Sequence, residues 1–202
     1  RVTRGLYPSV KGHNSPRISE GVVYSGFPSG RLVALDQPDG DVIWAVDLAN
    51  ESTRHADIDE PVAIADGNVY AVSFNGGLYA INSLTGTIRW RQELRGATAP
   101  IVYRDQLLTT TVDGSFVSLD RTDGSITFRV QLEDRAPGRI ALVGEYAIVP
   151  TTQGALYVLD AQAPAIHARF VPTSGFASVA SAPGGRLIAL DNRGVLHGLT
   201  LR

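Results

Sequence analysis

The chain has 202 residues with a formal net charge of −2, and 44% of its residues are hydrophobic and 19% charged. This balance predicts a soluble globular segment with a sizeable core, and 21 glycines and 11 prolines favour frequent turns over a helical bundle. The charge offers no basic field for nucleic acid and no polybasic membrane patch, and the absence of cysteine excludes disulfides, zinc ribbons and thiol nucleophiles.

A glycine followed by a short strand of alternating apolar residues recurs along the chain. The copies begin at Gly30, Gly76, Gly114, Gly154 and Gly194. Subtracting successive positions gives steps of 46, 38, 40 and 40 residues. A period of about 40 residues is typical of the blades of a β-propeller.

Each copy predicts short antiparallel strands in the same order. The first strands of the five copies begin at Pro16, Pro61, Pro100, Pro137 and Ser178. A second strand follows a turn, and the glycine-led strand is the third. A fourth strand ends on a large ring in the first three copies, at Trp44, Trp90 and Phe128. Four short strands with turn residues between them predict a blade of antiparallel sheet.

The sequence therefore predicts an all-β fold, a β-propeller segment of four whole blades and one partial blade. The blades are expected at residues 15–46, 60–92, 99–130 and 136–170, the partial blade at 176–202, and the end of a preceding outer strand at 1–8. Two architectures follow from the missing fourth strand of the last copy. Either residues 1–7 close a five-unit ring, or the chain belongs to a larger propeller, which the start in mid-blade favours.

The turn glycines and the aromatic rings of the repeat each have an expected structural role. Glycines that are expected to need a positive φ stand in Asp39-Gly40, Asp66-Gly67, Thr85-Gly86, Asp113-Gly114 and Asp123-Gly124. One blade cannot bury both of its apolar faces, so the rings of Trp44, Trp90 and Phe128 are expected to dock between neighbouring blades. The fourth copy has Ala168 at this place, which predicts a looser or differently filled junction.

Two families resemble this pattern. The run from Ala80 to Trp90 resembles the tryptophan-docking repeat of the pyrroloquinoline-quinone (PQQ) propellers, Ala-x-Asp-x-x-Thr-Gly-x-x-x-Trp, and Ala34 to Trp44 is similar. The segments from Asp57 to Tyr70, Phe74 to Ala80 and Ser174 to Ser178 look like the later blades of the BamB family, in the same order. This second resemblance runs over nearly the whole chain.

The BamB resemblance implies the C-terminal half of an eight-bladed ring and a function without catalysis. The family is a periplasmic, outer-membrane-associated scaffold that binds the POTRA repeats of the barrel-inserting component, BamA. It touches the membrane only through a lipid anchor, which would lie outside this chain. The resemblance implies neither a cofactor nor a small-molecule substrate.

The same resemblance implies partner contacts at two places. The segment from Tyr7 to Gly12 is similar to a family loop in which apolar residues and a basic residue meet the partner, which puts Pro8, Val10 and Lys11 in those positions. The Asp-x-Asp of the family appears as Asp57-Ile-Asp59.

Residues 50–60 are a candidate binding loop on their spacing alone. The first repeat step is 46 residues against 38 to 40 elsewhere, and the surplus falls in this polar stretch. The alternative is a solvated charged loop without a partner. His55, Asp57 and Asp59 would share one face of a strand, but three candidates without a fourth convergent ligand predict no metal site.

Enzymatic alternatives find no support in the residues. The sequence has no Gly-x-Ser-x-Gly elbow, and the glycine pair after Asn75 has no lysine for a phosphate loop. A PQQ-dependent dehydrogenase would need a Ca²⁺ site and a catalytic aspartate, and commonly carries a vicinal disulfide. We therefore predict no catalytic residue. An extracytoplasmic sensor or ligand-binding propeller remains the alternative function.

Overall fold

The computed structural model describes residues 14–49, 57–134, 136–152, 154–163, 165–171 and 174–200. Every regular element in these ranges is a β-strand, and the strands number nineteen. The chain divides into two compact units, Arg1–Val102 and Tyr103–Arg202. None of the described residues forms a helix of the length and apolarity needed to cross a membrane.

The first unit contains two four-stranded antiparallel sheets, blade 1 and blade 2. Blade 1 consists of β1 (Arg17–Ser19), β2 (Val22–Gly26), β3 (Arg31–Asp36) and β4 (Val42–Asp47). Blade 2 consists of β5 (Ala63–Ala65), β6 (Asn68–Ser73), β7 (Gly77–Asn82) and β8 (Ile88–Gln92). In both sheets each strand pairs with the next along the chain.

Three further sheets follow in the same pattern. Blade 3 consists of β9 (Ile101–Tyr103), in which the boundary between the units falls, β10 (Gln106–Thr110), β11 (Ser115–Asp120) and β12 (Ile126–Gln131). Blade 4 consists of β13 (Ala141–Val143), β14 (Tyr146–Pro150), β15 (Leu156–Asp160) and β16 (Ile166–Phe170). Blade 5 has three strands, β17 (Phe176–Ala182), β18 (Arg186–Asp191) and β19 (Leu196–Thr200). The predicted all-β fold of four-stranded antiparallel blades is confirmed.

The predicted starts of the first strands lie within two residues of the observed starts except in blade 4, where the prediction is wrong by four residues. The sequence places the first strand of the fourth copy at Pro137, whereas β13 begins at Ala141 and Pro137 forms only an isolated antiparallel bridge with Thr151. Proline has no N–H to donate to a ladder, so Pro137 cannot take part in a regular strand pair on its donor side. The proline therefore marks the approach to the blade.

The turns follow the predicted glycine chemistry. All five predicted glycines have a positive φ, for example +70° at Gly67 and +71° at Gly86. Blade 3 lacks such a glycine in the turn between its first two strands and uses Arg104 with a φ of +53°. The first residue of this turn therefore has a positive φ in blades 1 to 3 without being glycine, since Glu20 and Asp66 have values of +50° and +47°.

Blades 1 and 2 share one hydrophobic core. Trp44 lies within β4, which continues to Asp47, so the prediction that the fourth strand ends on the ring is wrong. The residue is 8% exposed, and its Nε1–H donates to the carbonyl oxygen of Ser83 at 2.8 Å. A Cβ atom on Gly86 would lie 2.8 Å from the Trp44 ring. The indole therefore packs directly onto the β7–β8 turn of the next blade.

The other two predicted docking rings contact aromatic residues of their own blades. The ring centroids of Trp90 and Tyr70 are 6.1 Å apart, and those of Phe128 and Phe116 are 5.9 Å apart. Their docking on a following blade stays a prediction.

The junction between blades 4 and 5 is filled differently from the junction at Trp44. Ala168 lies opposite Val158 and brings no ring. Phe170, two residues further along β16, packs instead against Phe176 and His197 of blade 5, with centroid distances of 6.0 and 6.3 Å. An aromatic cluster thus replaces the single docking ring.

Candidate functional site

The acidic segment, which we define as residues 57–60, lies between blade 1 and blade 2. Its Ile58 is fully buried in the core that these blades share. Asp57 and Asp59 on either side are only partly buried. Because an apolar residue between two carboxylates is drawn into the core, the segment is held while both acids keep access to solvent.

Two hairpins hold the backbone of the acidic segment. The N–H of Ile58 donates to the carbonyl oxygen of Phe27 in the β2–β3 hairpin at 3.3 Å. The carbonyl oxygen of Asp57 accepts the N–H of Phe74 in the β6–β7 hairpin at 3.1 Å. The segment therefore bridges the same ends of two neighbouring blades.

Asn14 and Gly26 also contact Ile58. Asn14 donates from Nδ2 to the carbonyl oxygen of Ile58 at 3.2 Å. At Gly26 a Cβ atom would collide with the side chains of both Ile58 and Asn14. The glycine is thus required by the close approach of the acidic segment.

Glu60 differs from the two aspartates. Its Oε2 accepts the N–H of Ala99 at 3.1 Å, which ties the acidic segment to the chain that follows blade 2. A carboxylate that accepts a backbone N–H in this way stabilises local structure. We therefore assign Glu60 a structural role and reserve a binding role for Asp57 and Asp59.

The described residues provide no cationic partner for the two aspartates of the acidic segment. Burial raises the pKa of the Asp59 carboxyl, and the negative charges of Asp57 and Glu60 raise it further. In the described ranges neither Asp57 nor Asp59 forms an ion pair with a cation. The two aspartate carboxylates on a fixed backbone are suited to bind a cationic group from outside the chain.

Asp59→Asn is expected to stabilise the free protein slightly at neutral pH, by no more than about 0.5 kcal/mol. A carboxyl whose pKa is raised in the folded protein destabilises the fold once it is ionised, so the gain is full above the folded pKa. The gain disappears below the unfolded value of about 3.9. Urea unfolding of both forms at pH 7 and pH 4 measures it.

Glu145→Gln serves as the control for this variant, because Glu145 is exposed in the β13–β14 turn. It should leave the free energy of unfolding unchanged at both pH values. A loss of stability in Asp59→Asn at pH 7 would show that the carboxylate is held by attraction and would contradict the proposed shortage of positive charge.

The structure covers only part of the site expected from the sequence. Pro8, Val10, Lys11 and His55 lie outside the described residues. Within those residues no group of three or more His, Cys, Asp or Glu side chains is placed to hold a metal ion. Sequence reasoning proposed the two aspartates but gave no role to Ile58 and Phe74, which contact them, although an apolar residue between two acids was a signal for the first.

Comparison with known proteins gives one consistent result. The family model described as "Outer membrane protein assembly factor BamB" matches residues 29–169. The relative of that name from Yersinia pestis is 26% identical over 200 residues, which cover 95% of this chain and 51% of the relative. The relative from Salmonella typhimurium is 26% identical over 204 residues, with the same two shares. The chain thus spans about half the length of the curated relatives it matches.

A solved structure agrees on the fold. The crystal structure of BamB from Moraxella catarrhalis superimposes with a TM-score of 0.82 at 22% sequence identity, over 98% of this chain and 62% of that one. The blades described above therefore have the fold of that protein. Since the family model also matches more than half of the chain, the protein belongs to the family of the outer membrane protein assembly factor BamB.

Proposed function

We propose that this protein is a non-enzymatic periplasmic scaffold, associated with the outer membrane, that supports the assembly of β-barrel proteins by binding the POTRA repeats of a BamA-like partner. Membership of the family supports the general role. One structural observation supports the site: two carboxylates without a cationic partner in the described residues stand on a backbone that two hairpins hold. Any lipid anchor would lie outside this chain.

The mechanism of such a scaffold is the rigid presentation of charged groups. Asp57 and Asp59 would accept charge-assisted hydrogen bonds from basic side chains of the partner. Because the buried Ile58 and the hairpin contacts fix the backbone before binding, little conformational entropy is lost on association. The negative charge also raises the rate of encounter with a basic surface.

The segment around Lys11 supplies the second half of the proposed surface. The family resemblance puts Pro8 and Val10 in positions that make apolar contact and Lys11 in the position of a charged donor. An apolar centre with charged residues at its edge is the usual composition of a binding surface. The surface thus combines both signs of charge, which fixes the orientation of the partner.

Reversing charges at both halves is expected to abolish capture. In Asp57→Arg with Lys11→Glu, like charges would face each other across the interface, and the affinity for purified POTRA repeats should fall at least about 30-fold. The β-sheet circular dichroism should be unchanged, because Asp57 lies outside the strands and its side chain is only partly buried. The measurement is titration of the full-length protein with the POTRA repeats.

Glu145→Arg is the matched control, since it reverses one exposed charge in the β13–β14 turn of blade 4. It should bind like the unmodified protein. Unaltered capture by the double variant would exclude the assigned site, and absence of capture by the unmodified protein would exclude the proposed function.

A further inference from the structure

Phe74 is held at its backbone and exposed at its side chain. Its N–H donates to the carbonyl oxygen of Asp57 at 3.1 Å, and its own carbonyl oxygen accepts the N–H of Gly96 at 2.9 Å. Nevertheless 48% of the residue is exposed. An aromatic side chain is therefore displayed from a fixed point that adjoins the acidic segment.

An aromatic residue at the position of Phe74 is specific to blade 2. Phe74 stands two residues before the repeat glycine Gly76, and the corresponding positions in the other copies are occupied by Pro28, Val112, Thr152 and Asn192. The hairpin turn can therefore form without an aromatic residue. Only the copy whose hairpin donates to Asp57 has an aromatic residue at this position, so the requirement for the ring does not come from the turn.

The chain itself shows what an aromatic ring beside a carboxylate can bind. The guanidinium of Arg169 lies 5.6 Å from the centroid of the Tyr157 ring, and its Nη2 is 3.3 Å from a carboxylate oxygen of Asp134. A cation on a ring face with a carboxylate at its edge is a favourable arrangement, because both the ring quadrupole and the anion attract it. The backbone hydrogen bond between Phe74 and Asp57 likewise makes an aromatic residue and an aspartate neighbours, and none of the cation–ring contacts found in the described residues involves Phe74.

We propose that Phe74 is an aromatic anchor of the partner-binding surface and receives an arginine or lysine side chain of the partner on its ring face, with Asp57 as the counter-charge; this inference rests on the proposed function. The occupant is cationic because the aspartates of the acidic segment are negative, whereas Arg91, whose Nε donates to the carbonyl oxygen of Gly76 in the same hairpin, is already paired with Glu93. The raised pKa of Asp59 agrees, since an incoming cation would relieve the repulsion between the carboxylates.

Three substitutions of Phe74 test the proposal in titrations of the full-length protein with purified POTRA repeats. Phe74→Ala should weaken binding about tenfold, as expected for an aromatic anchor. Phe74→Tyr keeps the ring and should stay within about threefold of the unmodified protein, whereas Phe74→Leu keeps apolar area without the ring and should resemble Phe74→Ala. Both backbone hydrogen bonds survive in all three, so the melting temperature should not change.

Leu84→Ala is the control. Leu84 is 80% exposed in the β7–β8 turn, at the opposite end of β7 from Phe74, and its N–H donates to Oδ1 of Asn82. It removes comparable apolar surface from the same blade and should leave the affinity unchanged. An equal loss in Leu84→Ala would mean a general effect on blade 2 and would overturn the proposal.

The remaining outcomes distinguish failure of the proposed function from failure of the proposed role of Phe74. If Asp57→Arg with Lys11→Glu abolishes binding while Phe74→Ala binds normally, the proposed function stands and the aromatic anchor is wrong. If Phe74→Leu binds like the unmodified protein, the cation does not lie on the ring, and the proposal is also wrong. If the unmodified protein does not bind POTRA repeats, the proposed function fails first and the anchor fails with it.

Discussion

Trp44→Ala is expected to lower the free energy of unfolding by about 3–5 kcal/mol. The indole is 8% exposed, packs on Gly86 of blade 2 and donates its only N–H to Ser83. Truncation would leave a cavity between the two blades and remove the shorter of two hydrogen bonds to the Ser83 carbonyl oxygen, so that only the 3.5 Å bond from the Tyr24 hydroxyl remains. Guanidinium unfolding of the full-length protein, followed by circular dichroism, measures the loss.

Two further variants separate the contributions of the indole. Trp44→Phe keeps much of the packing and loses the hydrogen bond to Ser83, so it should cost about 1–3 kcal/mol, less than the alanine variant. Gly86→Val should disturb the same contact from the side of blade 2. The new side chain would collide with the Trp44 ring, and residue 86 has a φ of +71° that valine rarely adopts. A loss below about 1 kcal/mol in Trp44→Ala would show that blades 1 and 2 do not depend on this ring.

The repeat and its turns could be predicted from the sequence because they depend on local chemistry. Strand alternation has a period of two residues, and glycine adopts a positive φ without steric cost, so both leave a signal within a few neighbouring positions. Gly67 and Gly86 are examples in which the predicted φ is found. The docking of Trp44 could be predicted for the same reason, because a large aromatic residue recurs at a fixed place in the repeat.

The start of blade 4 was not predicted, because two signals conflict there. Pro137 stands where prolines lead the first strand of other copies, but the ladder begins four residues later, at Ala141. The fixed φ and missing N–H of proline fit both an edge strand and an irregular approach. Only the pairing of Ala141 with Ile148 decides between them.

The geometry of the candidate site depends on contacts that no local pattern records. Asn14 and Ile58 are 44 residues apart along the chain, and the collision that makes Gly26 necessary involves the same two residues. The sequence identified Asp57 and Asp59 through a family resemblance. It could not show that the isoleucine between them fixes their position, because burial is a property of the folded chain.

Under the proposed function, this dependence gives Ile58 a part in binding although its side chain is inaccessible to a partner. Rigid presentation requires that the acidic segment stay on the two hairpins when no partner is bound. The contacts of the Asp57 and Ile58 backbone with Phe74 and Phe27 are two hydrogen bonds at 3.1 and 3.3 Å, each of modest net strength. Burial of the isoleucine side chain is therefore the main force that holds the segment.

Ile58→Ala is expected to lower the free energy of unfolding by about 2–5 kcal/mol, because the fully buried side chain leaves a cavity in the core of blades 1 and 2. Ile58→Val, which removes one methylene, should cost about 0.5–1.5 kcal/mol. Guanidinium unfolding of the full-length protein gives both values. Gly26→Ala should resemble the larger loss, since the added methyl group would displace Ile58.

The alanine variant should also bind POTRA repeats more weakly, although Asp57 and Asp59 are unchanged. A loosened segment must be ordered on binding, and that ordering opposes association. The affinity should therefore fall in the order of the lost stability, from the unmodified protein to Ile58→Val and then to Ile58→Ala. Binding is compared at a temperature where circular dichroism shows every variant folded.

Trp44→Phe controls for stability alone, because it destabilises the same core without touching the acidic segment. It should bind POTRA repeats like the unmodified protein, since the backbone of Asp57 and Ile58 keeps its contacts with the two hairpins. Equal affinity in Ile58→Ala and the unmodified protein would mean that the carboxylates act without a fixed backbone, and rigid presentation would be wrong.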